Sequence, residues 1–96
     1  MPARRRIAFE PTPNPHAMRA SIAPPLPPAP GDVAARSFRD AAAAAHHALA
    51  AALFAIPGIC GVLLSPDGSW LSVNKAPDAH WKSITVGVRR VLEQQP

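Results

Sequence analysis

The stretch FEPTPNPHAMRA, Phe9–Ala20, decides how the first part of the chain folds. RIAFE (residues 6–10) alternates apolar and polar side chains, with Ile7 and Phe9 on one side, as a half-buried strand does. HAMRASI (residues 16–22) resumes that alternation after the prolines. Because proline cannot donate to a strand ladder, the pattern predicts two strands joined by a stiff, extended connection instead of a two-residue hairpin turn.

The polar residues of this connection are Thr12, Asn14 and His16. Asn14 precedes a proline, which restricts its backbone to extended conformations, and the prolines reduce the entropy that the segment loses on ordering. Two interpretations follow. The segment is a stiff structural link, or it is a preformed recognition loop in which Thr12, Asn14 and His16, together with Arg19 on the following strand, bind a partner.

The middle of the chain predicts a short strand and a helix. VAARSF (residues 33–38) is typical of a short third strand. The alanine-rich residues 39–55 predict a helix, since alanine is the best helix former. Ser37 or Asp40 can cap the start of this helix, and the Pro-Gly pair that follows it stops it.

The last third predicts a hairpin and a second helix. ICGVLL (residues 59–64) is an apolar run typical of a buried strand. The turn SPDG and the alternating SWLSVNK then predict an antiparallel hairpin. Residues 76–95 predict a helix capped by Asp78. One face of this helix carries an apolar stripe, formed by Trp81, Ile84, Val88, Val91 and Leu92. The order of elements indicates an α+β fold: a mainly antiparallel sheet with two α-helices packed on one face.

The chain has 96 residues, which is the size of a single domain. We expect a disordered basic tail over residues 1–5 and one domain over 6–94, with a proline-rich loop at 23–32 that favours polyproline II geometry. The formal net charge is +4, which raises the alternative of nucleic-acid binding. The basic residues do not interleave with aromatic ones, so the sequence favours a solvated tail.

The reactive side chains form no recognisable catalytic set, so we expect no enzyme. Cys60 is the only cysteine; it excludes an intramolecular disulfide and a self-contained CxxC site, and it is typical of a reducing compartment. Its position in an apolar run predicts a buried thiol. The adjacent His46 and His47 point about 100° apart on a helix, so they cannot chelate one metal ion from the same face. His16, His80 and Cys60 stay open as metal candidates.

No segment predicts export or membrane insertion. The most apolar stretch, AAAAAHHALAAALFAIPG, carries two histidines and is shorter than the roughly 20 residues that a membrane helix needs. The N-terminus lacks the apolar core of a signal peptide. We therefore expect a cytoplasmic monomer that does not bind membranes.

Two motifs in order, FEPTPNPHAM and LFAIPGICGVLLSPDGSWLSVNKAPDAHW, resemble the N-terminal domain of the Nfu/NifU-type iron–sulfur scaffold proteins. The resemblance extends from Ile7 to Leu92. The positions that match the motifs of the family are Glu10–Pro15, Met18, Arg19, Leu53, Phe54, Ile56, Pro57, Gly58, Ile59, Trp81 and Ile84.

The resemblance implies a non-catalytic accessory or docking domain in iron–sulfur cluster assembly or delivery, which binds carrier or client proteins. In larger members of this family a second domain carries the cluster-binding CxxC, and this sequence has none. The resemblance therefore implies that this chain alone binds no cofactor stably, and that iron or an iron–sulfur cluster is held only with a partner. The sequence departs from the family at His16, at His80 and in the proline-rich loop. Direct iron binding through histidines stays as an alternative.

Overall fold

A computed structural model describes residues 5–26 and 35–95 of the chain. Its elements are β1 (Arg6–Pro11), β2 (Ala17–Ala23), β3 (Arg36–Phe38), α1 (Ala48–Phe54), β4 (Ile59–Leu64), β5 (Trp70–Lys75) and α2 (Trp81–Glu93). The strands form one sheet in the order β1-β2-β5-β4-β3, and every neighbouring pair is antiparallel. The predicted α+β class is confirmed.

Both helices share one core with one face of the sheet. Leu53 of α1 and Ile84 of α2 are fully buried, and they belong to the same cluster as Leu71 and Val73 of β5. Because successive side chains of a strand point to opposite faces, the buried strand residues define the covered face. The opposite face, here called the open face, carries Ala8, Arg19, Ser21, Leu63, Trp70 and Ser72.

Strands β1 and β2 confirm the predicted alternation, with Ile7 opposite Ile22. Pro11 is the last residue of β1. The N–H of Ile22 donates to Ser69 C=O, on the β5 side, at 2.7 Å. In an antiparallel sheet, a residue whose N–H and C=O point to one neighbouring strand makes no backbone hydrogen bonds with the strand on its other side. Ile22 points these groups to β5, so it makes no such bonds with Ile7 of β1. Ile7, Phe9 and Pro11 therefore turn their backbones to the outer edge, where the missing N–H of proline costs no ladder bond.

Strand β4 differs from the predicted buried strand, because the sheet is covered on one face only. Ile59, Val62 and Leu64 are buried, whereas Leu63 is half-buried and Cys60 is exposed. The pairing with β5 shifts its register between Ile59 and Gly61, around Cys60. The prediction of a buried cysteine was therefore wrong. The predicted β4–β5 hairpin is confirmed.

Helix α1 is much shorter than the predicted helix over residues 39–55. Residues 41–46 form successive turns, and Asp40 Oδ1 accepts the N–H of Ala43 at 2.7 Å instead of capping a long helix. His47 is extended (φ −117°, ψ 108°) and caps α1, its Nδ1 accepting the N–H of Ala50 at 3.4 Å. Its ring lies edge-on to that of Phe38, with centroids 5.3 Å apart. Alanine favours helix but buries little surface, and short helices depend on packing.

Helix α2 begins later than predicted, and Asp78 is not its cap. A turn closed by Ala79 N–H on Ala76 C=O (3.0 Å) precedes it, and His80 occupies the capping position without a side-chain capping bond. The predicted apolar stripe is confirmed, with Ile84, Val88 and Leu92 buried. Gly87 faces Ile56, and an added Cβ there would lie 3.0 Å from the Ile56 side chain.

Only residues 23–26 of the predicted proline-rich loop lie within the described part of the chain. Leu26 is buried, and its N–H donates to Gly68 C=O at 3.0 Å in the β4–β5 turn. Gly68 has φ +76°, and a Cβ there would collide with the Leu26 backbone. The remainder of that loop and residues 1–4 lie outside the described residues. Arg5 donates from Nη1 to Gln95 C=O at 2.7 Å, which joins the start of the domain to the end of α2.

Candidate functional site

The proline turn, residues 12–16, is held by its own polar side chains. Thr12 Oγ1 accepts the N–H of Asn14 at 3.2 Å, and it lies 2.9 Å from Asn14 C=O and 3.1 Å from Ala17 C=O, either of which accepts its proton. Asn14 Oδ1 accepts the N–H of His16 at 2.9 Å, a local bond that asparagine often makes in turns. These contacts explain why threonine and asparagine stand between the prolines. They leave the rings of Pro13, Pro15 and His16 exposed.

The start of α2 anchors this turn from the other side. Trp81 Nε1 donates to Pro15 C=O at 3.1 Å, and the N–H of Lys75 donates to His16 C=O at 2.8 Å. Lys75 Nζ lies 5.8 Å from the centroid of the Trp81 ring. A segment held on both sides presents its exposed atoms in a fixed arrangement. The proline turn can thus serve as a rigid contact surface.

Arg19 lies apart from the other three predicted binding residues. It is exposed on the open face, where its guanidinium lies 4.8 Å from the centroid of the Trp70 ring. The structure brings Thr12, Asn14 and His16 together in one turn and places Arg19 on a different surface.

The metal candidates lie at one end of the sheet without forming a centre. His16 is on the proline turn, His80 precedes the helix that contacts this turn, and Cys60 is near the start of β4. Within residues 5–26 and 35–95, no group of three or more His, Cys, Asp or Glu side chains is placed to hold a metal ion. Iron–sulfur clusters are held by several cysteine thiolates, and the sequence has only Cys60. The residues of this chain do not fit such a cluster.

The sequence did not reveal how the cations meet the aromatic rings. Arg89 lies 5.3 Å from the centroid of Phe9, and Arg36 lies 5.2 Å from that of Phe38. With the contacts at Trp70 and Trp81, four rings have a cation within the usual range. Two of the four pairs, Arg19–Trp70 and Arg89–Phe9, join residues more than fifty positions apart, so no local pattern signals them. The cations are spread over several surfaces.

Hydrogen bonds displace the pKa of one carboxyl group, that of Asp67. In the β4–β5 turn, Asp67 Oδ1 accepts Ser69 Oγ–H at 2.7 Å and the N–H of Ser69 at 3.0 Å. Both bonds favour the carboxylate and hold the pKa of Asp67 below its ordinary 3.8. This carboxylate organises a turn remote from the proline turn.

The fold is that of known NifU-like domains. The solution structure of a NifU-like protein from Saccharomyces cerevisiae superposes with a TM-score of 0.78 at 22% identity, covering 95% of this chain and 77% of that one. The crystal structure of protein SAV1430 from Staphylococcus aureus superposes with a TM-score of 0.69 at 20% identity, covering 92% of this chain and 99% of that one. At these identities the likeness shows the fold alone. No curated protein sequence matches the chain significantly.

The family follows from the sequence match. Residues 7–95 match the family described as scaffold protein Nfu/NifU N terminal, and the chain belongs to that family. The resemblance inferred from the proline and Ile-Pro-Gly motifs is confirmed. Membership implies a role in iron–sulfur cluster assembly, in a family of scaffold proteins that is generally non-enzymatic. No helix within the described residues is long and apolar enough to cross a membrane.

Proposed function

We propose that this chain is a non-catalytic docking domain of iron–sulfur cluster assembly or delivery, which binds carrier or client proteins. The observation that carries this proposal is the family match over residues 7–95. It is supported by the single cysteine of the sequence, since a protein that cannot ligate a cluster alone can contribute by positioning the proteins that do.

The proline turn is the surface that we assign to this docking. Its internal bonds and its contact with Trp81 hold it in place, so binding orders few additional torsions, and that lowers the cost of association. His16 is exposed at its end. Replacing His16 with alanine should weaken partner capture, whereas the same replacement at the exposed His46 should not. If the His16→Ala and His46→Ala variants capture equal amounts of partner protein, the proline turn is not the docking surface.

The proposal assigns the cluster to the partner. This part rests on Cys60 being the only cysteine of the sequence, and on the lack of a three-ligand group among residues 5–26 and 35–95. Anaerobic titration with iron(II), followed by calorimetry, should give no saturable binding in the micromolar range. Saturable binding that the His16→Ala or His80→Ala variant abolishes would instead support the alternative of direct iron binding.

Removal of the gene from its host tests the assembly role. The specific activities of several iron–sulfur enzymes should fall in extracts while the amounts of those enzymes stay unchanged. Re-expression of the wild-type chain should restore the activities, and a Leu53→Asp chain, with a carboxylate in the fully buried core, should not. Unchanged activities in aerobic and in iron-limited cultures would contradict the proposal.

We infer that the chain works as a cytoplasmic monomer. This is consistent with the lone cysteine and with the small, single core of the described residues. Light scattering should give the mass of one chain, and immunoblotting should find the protein in the cytoplasmic fraction. A dimer, or recovery with another compartment, would correct this inference.

A further inference from the structure

The outer edge of β1 offers backbone groups that the sheet does not pair. The register of β1 and β2 turns the backbones of Ile7 and Phe9 outward, because Ile22 donates toward β5. The contact of Arg89 Nη2 with Ile7 C=O, at 3.3 Å, confirms this direction, since Arg89 reaches that carbonyl from α2. The N–H and C=O of Phe9 are the next outward pair along the edge. An unpaired strand edge is a template for another extended segment.

An apolar groove lies beside this edge. Its volume is about 430 Å³, and it is lined by Phe9 and Met18 from the sheet and by Thr85 and Val86 from α2. Val86 is 55% exposed, the only large hydrophobic side chain that the described part of the chain leaves exposed to that degree. Phe9 and Met18 are half-buried. Backbone groups and an apolar pocket thus lie side by side, as in domains that bind peptides by strand addition.

The charged side chains that line the same groove are positive on balance. They are Arg89 and Arg90, with Glu93 as the only carboxylate. All three are exposed. A binding segment that carries carboxylates next to an apolar side chain therefore matches the groove in charge as well as in polarity.

We propose that the groove and the β1 edge bind an extended segment of a partner protein, with an apolar side chain flanked by carboxylates. This inference rests on the proposed docking function: it adds a second contact surface to the proline turn and names the class of segment that this surface binds. The segment pairs with the N–H and C=O of Phe9 and places its apolar side chain against Met18 and Val86. Its carboxylates approach Arg89 and Arg90. Pro11 offers no N–H at the next outward position, so the paired stretch is short.

A displayed library of ten-residue random peptides tests the proposal with the intact folded chain as bait. The selected peptides should alternate apolar and acidic residues. Amide shifts of the ¹⁵N-labelled chain on titration with a synthetic selected peptide should map to Phe9, Val86 and Arg89. The Val86→Asp and Arg90→Glu variants should each bind that peptide at least about tenfold more weakly. The matched control is Lys82→Glu, which makes the same charge reversal at an exposed position of α2 outside the groove, and it should bind the peptide with at most a small loss.

The failures of the two proposals are distinguishable. An empty selection, peptides without acidic residues, or shifts confined to the open face or the proline turn would overturn the groove assignment. If cellular capture still returns iron–sulfur proteins in that case, the docking function stands and its surface lies elsewhere. If Arg90→Glu and Lys82→Glu lose equal amounts of peptide affinity, general electrostatic attraction and not the groove binds the peptide. That result would also overturn the assignment.

Discussion

Trp81 and Pro15 are joined by a hydrogen bond of 3.1 Å from the indole Nε1 to the proline carbonyl, across 66 positions of the chain. This bond ties the first turn of α2 to the proline turn. It makes the start of the helix and the connection between β1 and β2 one structural unit, although the sequence of neither segment indicates that the two are in contact.

Replacing Trp81 with phenylalanine should destabilise the domain by about 1 kcal/mol, because the ring is retained while the bond to Pro15 is lost. The matched control is Trp70→Phe. Trp70 is also half-buried beneath a cation, but none of the side-chain hydrogen bonds found among the described residues uses its indole. Denaturant unfolding of both variants measures the difference. Equal losses in free energy of unfolding would mean that the Trp81 bond contributes nothing specific.

The exposure of Cys60 predicts rapid thiol labelling in the native state. A disulfide-exchange reagent should modify one thiol per chain without denaturant, because the side chain is exposed on β4. The Cys60→Ser variant serves as the blank. If labelling appears only on unfolding, Cys60 is buried in solution, as the apolar run predicted.

Because α1 begins only at Ala48, we expect a glycine substitution to cost more stability within α1 than in the alanine-rich turns before it. Ala52→Gly lies within α1 and should cost about 1 kcal/mol of unfolding free energy, the usual penalty in a helix interior. Ala45→Gly lies among the exposed turns before α1 and should cost clearly less. If the two substitutions are equally costly, the helix extends through residue 45 in solution.

Asp67 should titrate below 3.8, since the hydroxyl and N–H of Ser69 stabilise its carboxylate. A pKa that is lower in the folded than in the unfolded chain stabilises the fold above the unfolded value, and this contribution disappears as the pH falls through the folded value. Carboxyl ¹³C shifts recorded against pH measure it. In the Ser69→Ala variant the pKa of Asp67 should rise toward 3.8, and an unchanged pKa would show that the Ser69 hydroxyl is not a cause.

Short-range patterns predicted most of the fold. The alternation around Ile7 and Phe9, the Pro-Asp-Gly turn and the apolar stripe of α2 each depend on neighbours within one element, and each is confirmed. The errors arose where tertiary contacts decide. The alanine run has high helix propensity but little surface to bury. The helix therefore begins only at Ala48, directly after His47, whose ring packs edge-on against that of Phe38.

The surfaces were harder to predict than the elements. Cys60 and Leu63 belong to an apolar run, but Leu63 lies on the uncovered open face and Cys60 lies at the register shift between Ile59 and Gly61. The groove joins Phe9 and Met18 to residues more than sixty positions later in the chain, and nothing local in the sequence signals that contact. The proline turn was recognisable because its prolines and polar residues are contiguous in the sequence.

Anaerobic affinity capture from the native cytoplasm, followed by mass spectrometry, tests the docking function most directly. The bait is the wild-type chain, and the control is the Leu53→Asp chain with its disrupted core. The account predicts that the wild-type chain enriches iron–sulfur proteins or a CxxC carrier over the control. Enrichment of neither, or of ribosomes and nucleic acid alone, would contradict it and would mean that this chain keeps the family fold without a docking role in cluster assembly.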